Sequence, residues 1–243
     1  MIFYSAYWLY YLLGFVMIPG IVLGIWAQTK VHSAFNTYNK VDTKHGKTSN
    51  EVARFMLDAG GCVNTKIQSI KGELTDNYNP KTDTISLSES VNGQRTISAI
   101  GVTAHEIGHV FQHREKYTPI KVRNALVPVM NIANYLMWPL IFLGLILELG
   151  FAFSGANILI YIGVGVYALN TIFCLVTLPI EINASKRAQK MLLATAEMDE
   201  EEIKGVKEVL NAAAWTYVAA LITSILSLLR LLLFIFAMRG NRD

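Results

Sequence analysis

Charge is what this sequence has least of. Only 16% of its 243 residues are Asp, Glu, Lys or Arg, whereas a soluble domain carries about 25%. The 21 basic and 18 acidic side chains are intermingled and leave a net charge of +3. There is no concentrated basic patch, which argues against a nucleic-acid surface. Cysteine is nearly absent: Cys62 and Cys174 stand alone, the second inside an apolar run. That excludes a disulfide framework and a cysteine-based metal site, and agrees with a reducing compartment for the polar part of the chain. Internal repeats and low-complexity linkers are also lacking. What fills the space is apolar: 53% of the residues are hydrophobic, mean hydropathy is +0.37, and these residues gather in long runs as they do in membrane proteins.

Four runs, 3–27, 126–147, 158–180 and 215–238, are long enough to cross a hydrocarbon core of about 30 Å. The first is uncharged and opens with Tyr4, Tyr7, Trp8, Tyr10 and Tyr11, the composition of an interfacial aromatic belt. It lacks the positive start, short core and small-residue cleavage site of a signal peptide and reads as a retained anchor. Pro128 and Pro139 lie in the second run, and the third ends at Pro179, directly before Glu181. Arg230 interrupts the fourth. The expected organisation is therefore transmembrane helix 1 over 1–27, helix 2 over 125–149, helix 3 over 157–180 and helix 4 over 215–238. Polar segments at 28–124 and 181–214 then lie on one side of the bilayer. Lys30, Lys40, Lys44, Lys47, Arg114, Lys116, Lys121 and Arg123 flank the first two spans on that side, and Lys186, Arg187 and Lys190 follow the third. The turn at 150–157 has no Lys or Arg. The positive-inside rule puts both polar segments in the cytoplasm, with Arg239 and Arg242 pulling weakly the other way.

Within the first polar segment, Thr48-Ser49-Asn50-Glu51 reads as a capping box for a helix over 51–59, ended by Gly60-Gly61. Strands are expected over 63–70 and 82–88, with a turn at 74–80 between them. A further helix begins near Thr96 and reaches about residue 115. Its apolar positions Ile97, Ile100, Ala104, Ile107 and Phe111 recur every three or four residues, the spacing of a packed face. After the third run, 181–193 is expected to be helical. Asp199 can cap a last helix that starts with Glu200, Glu201 and Glu202 and runs into the fourth apolar run.

The helix near Thr96 contains His105-Glu106-Ile107-Gly108-His109. Residues four apart share a helix face and lie about 6 Å apart along the axis. His105 and His109 can therefore each give one imidazole nitrogen to a single zinc, with Glu106 beside them as a base for a water acidified by the metal. A catalytic zinc needs a third protein ligand. His113 continues the row but lies about 12 Å from His105 along the axis, too far for both to bind one ion. His32 and His45 are isolated, and Cys62 has no supporting pattern. Glu181, the first carboxylate after the third run, is the best placed, with helix capping as the alternative reading of that residue.

Two longer stretches carry a resemblance. His105-Glu106-Ile107-Gly108-His109 and Leu178-Pro179-Ile180-Glu181-Ile182-Asn183-Ala184-Ser185-Lys186-Arg187-Ala188 resemble the motifs of the neutral zinc metallopeptidases of bacterial membranes, the YugP type. Gly72-Glu73-Leu74-Thr75-Asp76-Asn77-Tyr78-Asn79-Pro80 resembles a loop of the same family. The likeness covers nearly the whole chain. It implies a mostly α, polytopic membrane protein with about four transmembrane helices and a small α+β zincin-like metallopeptidase domain. The implied protein lies in the bacterial inner membrane and cleaves protein or peptide substrates at its cytoplasmic face. It also implies zinc held by His105, His109 and Glu181, with Glu106 as general base. A more distant likeness is to the HtpX and CAAX-protease group, in which the zinc Glu is followed four residues later by Asp. Here Ser185 stands at that place, and Asn183 stands where the family often has Asp.

In zincins the strand before the metal helix commonly offers its edge to an extended substrate, which assigns that part to 82–88. Tyr78 or His113 would be the further donor to the oxyanion. Two other classes of function compete: a non-enzymatic membrane scaffold with structural zinc, which needs a fourth ligand, and an intramembrane protease, which needs the metal helix to span. The stretch from Ile97 to Phe111 is too short for that. Transport ranks low, since polar groups in the spans are few.

Overall fold

The structure, a computed structural model, describes residues 13–150 and 157–240. The aromatic start of the first apolar run and most of the 150–157 turn lie outside the described residues. A 3-10 turn, Leu13–Met17, leads into α1 (Ile18–Tyr38). There follow α2 (Ser49–Ala59), β1 (Lys66–Ile70), β2 (Asn77–Asn79), β3 (Thr84–Ser88), α3 (Ile97–Arg114), α4 (Thr118–Gly150), α5 (Asn157–Ala194) and α6 (Glu200–Gly240). The protein is mostly helical with one small sheet.

The helix starts follow from their caps. At α2 the Thr48 hydroxyl accepts from the Glu51 N–H at 3.3 Å, and the Glu51 carboxylate accepts from the Thr48 N–H at 2.8 Å. This satisfies two N–H groups that a helix start leaves unpaired. Thr96 caps α3 by accepting from Ala99 N–H. Asp199 accepts from the N–H groups of Glu201 and Glu202, while Glu202 accepts from the Asp199 N–H, so α6 begins with a second reciprocal cap.

The sheet departs from the expectation in three ways. Its order is β1-β3-β2, with β1 parallel and β2 antiparallel to β3. The turn at 74–80 hides the short strand β2. Asp76 pins it there by accepting from both the N–H and the hydroxyl of Ser88 at 2.8 Å, fixing the start of β2 against the end of β3. The first strand begins at Lys66 rather than at 63. The stretch 82–88 is not an edge: β3 is paired on both sides and every residue of it is buried. It reads as an edge in the sequence because Thr84, Ser86 and Ser88 alternate with Ile85 and Leu87, but those hydroxyls are covered by the neighbouring strands and by Asp76.

The membrane runs become long helices. Four are long and apolar enough to cross a membrane among the described residues: Leu13–Tyr38, Thr118–Gly144, Tyr161–Ala194 and Glu200–Phe236. Pro128, Pro139 and Pro179 all lie inside helices. The third run and the following polar helix are therefore one unbroken element, α5. A proline removes a single N–H bond, which long apolar helices tolerate.

The chain forms two compact units. One comprises residues 1–26, 121–178 and 217–243. In it α1 meets α6 at Gly20, where a Cβ would fall 2.9 Å from the Thr223 hydroxyl, and α4 meets α5 at Gly163, where a Cβ would fall 2.4 Å from Ile141. Small residues at such crossings let membrane helices approach closely. Phe142, Ile146, Leu175 and Phe236 point outward and are exposed, as lipid-facing side chains are. The other unit comprises residues 27–120 and 179–216. Its core joins Met56 and Leu57 of α2, Ile85 and Leu87 of β3, Ile100 and Ile107 of α3, Leu192 of α5 and Val206 of α6.

Candidate metal centre

The site forms where α3 and α5 cross inside the second unit. Gly108 makes the crossing possible. A Cβ on it would lie 2.5 Å from the Ala184 carbonyl oxygen, so any other residue would push the helices apart. Ala184 and Ala188, also small and buried, keep the α5 side of this contact shallow. With the axes this close, Glu181, one turn before Ala184, reaches the histidine face of α3.

One Glu181 oxygen, Oε2, lies 3.2 Å from His105 Nε2 and 3.4 Å from His109 Nε2. The two imidazoles meet edge to face, with centroids 4.8 Å apart and planes at 86°. The Glu181 side chain is 4% exposed and those of His105 and His109 are 15% and 12% exposed. Two imidazole nitrogens and one carboxylate oxygen within 4.8 Å of one another form a donor set that zinc takes. Among the described residues, no other group of three His, Cys, Asp or Glu converges in this way.

The outer nitrogens of both rings are engaged. His105 Nδ1 lies 3.1 Å from the Ser185 hydroxyl and His109 Nδ1 lies 3.0 Å from Gln112 Oε1. Ser185 was legible, four residues after Glu181. Gln112 was passed over, although its position three residues after His109 puts it on the same helix face. It is fully buried, and its amide nitrogen donates to the Ile180 carbonyl at 2.8 Å and to Asn183 Oδ1 at 3.0 Å. Arg187 Nε donates to the same Asn183 oxygen at 2.7 Å, and Arg187 also pairs with Glu115.

Glu106 is buried beside the two rings. Burial pushes its carboxyl above the usual range, against the opposing pull of His109 and His105. For His109, burial works to lower the pKa, but the Glu181 hydrogen bond and the charges of Glu106 and Glu181 outweigh it, and the net shift is upward.

The other residues singled out from the sequence lie elsewhere. Cys62 sits 3.5 Å from an Arg114 guanidinium nitrogen, outside the converging group. His32 and His45 are exposed. His113 packs edge-on against Tyr78, centroids 5.5 Å apart. The Tyr78 hydroxyl donates to Asp83 at 3.0 Å, so in this arrangement its proton is already engaged away from the histidine pair.

Comparison with known proteins agrees with this chemistry. Residues 13–236 match the family described as "Putative neutral zinc metallopeptidase". The chain is 40% identical over 229 residues to "Putative membrane protease YugP" of Bacillus subtilis (strain 168), covering 94% of this chain and 97% of that one. No solved structure matches.

The buried carboxyl of Glu106 has a consequence for stability. Its folded pKa lies above the unfolded value, so below the unfolded value it is protonated in both states and burial costs little. As pH rises from the unfolded towards the folded value, the unfolded chain ionises more readily than the buried carboxyl, and stability falls until the folded value is passed. In metal-free protein, Glu106→Gln should therefore raise the unfolding temperature at pH 7, and this gain should shrink towards zero near pH 4. Thermal unfolding in detergent with a chelator checks this; a variant no more stable than wild type at pH 7 would contradict it.

Proposed function

We propose, on the premise that the chain belongs to this neutral zinc metallopeptidase family, that His105, His109 and Glu181 hold one zinc ion and that Glu106 is the general base of peptide-bond hydrolysis. The observation that carries this reading is a single carboxylate oxygen on α5 facing both Nε2 atoms of a His-Glu-x-x-His helix. Zinc held by such a set would supply a water acidified to a pKa of about 7 and a Lewis acid for the substrate carbonyl. Glu106 takes the proton from the attacking water and passes it to the leaving amine. Its burial makes it a stronger base than a solvated glutamate.

The second unit, residues 27–120 and 179–216, then serves as a zincin-like domain. Since β3 is flanked on both sides, the outer edge of β2, which packs against α3, is the place for an extended peptide to add as a strand. Three converging protein donors suit a catalytic zinc, which keeps a position open, better than a structural one with four. An 18-residue α3 packed on a sheet favours this reading over an intramembrane protease. The charge pattern supports a cytoplasmic site at the inner membrane. Glu181 follows the third apolar run without a linker, which suits juxtamembrane parts of membrane proteins as substrates.

Purified Glu106→Gln protein should keep about one zinc while losing hydrolysis of an unfolded protein substrate by about a hundredfold or more. Glu181→Ala, His105→Ala and His109→Ala should lose both. A Glu106→Gln variant with near wild-type hydrolysis would remove the enzymatic role. For topology, single cysteines at positions 40 and 190, with Cys62 and Cys174 replaced, should label from the cytoplasmic face only. Labelling of the two from opposite faces of the membrane would break the proposed site.

A further inference from the structure

The two outer hydrogen bonds of the histidine pair are not equivalent. A serine hydroxyl both donates and accepts, so Ser185 accommodates either tautomer of His105. Gln112 does not have that freedom, because two unambiguous groups, the Ile180 carbonyl and the Arg187 Nε acting through Asn183, fix the orientation of its amide. The Ile180 backbone carbonyl can only accept. Arg187 Nε can only donate, which makes the Asn183 atom it meets the carbonyl oxygen. Gln112 touches both of these acceptors with the same atom, and that atom must be its NH2 group. Turning the amide over would press oxygen against two oxygens in a fully buried place, where an unmade hydrogen bond is costly. Gln112 Oε1 therefore faces His109 Nδ1 as an acceptor. His109 must therefore carry a proton on Nδ1, which leaves Nε2, the nitrogen that faces Glu181, as the one open to a metal.

The same amide has a second effect. Ile180 immediately precedes Glu181, so Gln112 ties the His109 ring to the backbone of the turn of α5 that bears the carboxylate. We propose that Gln112 is a positioning residue of the metal centre. It sets the tautomer of His109 and locks that ring to the Glu181 turn, whereas Ser185 only steadies His105. This rests on the reading of His105, His109 and Glu181 as zinc ligands.

Three measurements on full-length protein in detergent test it. Zinc affinity by chelator competition should fall about 10- to 100-fold in Gln112→Leu, the range for partners that orient a metal-bound imidazole, and by clearly less in Ser185→Ala. Nitrogen-15 NMR of histidine-labelled, zinc-loaded wild type, with His109 assigned by its substitution, should show a protonated Nδ1. This second readout needs no variant of Gln112 and stands if Gln112→Leu fails to fold. In folded Gln112→Leu the Nδ1 proton resonance of His109 should shift while that of His105 stays, which a merely structural loss of packing would not produce. Gln112→Leu with wild-type zinc affinity, or a His109 protonated on Nε2, would overturn the proposal. The zinc reading is judged separately by His105→Ala: if that variant binds zinc as tightly as wild type, the ligand set falls, whatever Gln112 does.

Discussion

Everything proposed for this protein depends on how closely two helices approach. The donors come from residues 76 positions apart in sequence, on helices whose own hydrogen bonding says nothing about where they should cross. At the crossing, a residue with no side chain lies against a backbone carbonyl of the other helix. A single methyl group there would move the axes apart, and a short carboxylate such as Glu181 has no length to make up the difference. Glycine inside a helix costs about 0.5–1 kcal/mol relative to alanine. Here that cost is offset by the contact it permits.

The centre is also a concentration of unfavourable burial. Two carboxylates, Glu106 and Glu181, lie with two imidazoles in a place that is largely shielded from water. Such groups destabilise a fold unless paired, and the histidine–carboxylate contacts pair them only in part. A divalent cation held by the proposed ligands would relieve this by giving the donors a common partner, and would couple metal binding to folding. The hydrogen-bonded residues around the rings restrict their rotation in advance. Keeping a ligand geometry in this way requires buried polar side chains, and Gln112, fully buried, is the clearest instance.

Much of this was legible in the chain, for local reasons. The caps at Thr48, Thr96 and Asp199 are short-range patterns, and the apolar runs need only length. His105, Glu106 and His109 share a helix face by periodicity alone. Glu181 was reached less directly, through its place after an apolar run and a family resemblance; the structure sets it beside both imidazoles. What was hidden depends on tertiary context. Asn77–Asn79 has little strand propensity and becomes β2 because Asp76 holds it against Ser88. β3 looked like an edge because its hydroxyls alternate with apolar residues, and no local feature tells that both of its sides are paired. Pro179 looked like a stop, although one missing bond does not end a helix of 38 residues. Gln112 drew no reading from the sequence, because only the crossing of α5 gives it the partners at Ile180 and Asn183.

The central claim is the identity of the ligands. X-ray absorption at the zinc edge of the purified, zinc-loaded protein tests it most directly, because oxygen and nitrogen donors differ from sulfur in distance. The account predicts one zinc per chain with a nitrogen and oxygen shell at about 2.0–2.1 Å that includes two imidazoles. A sulfur at about 2.3 Å, which would bring in Cys62, or a shell with fewer than two imidazoles, would contradict it.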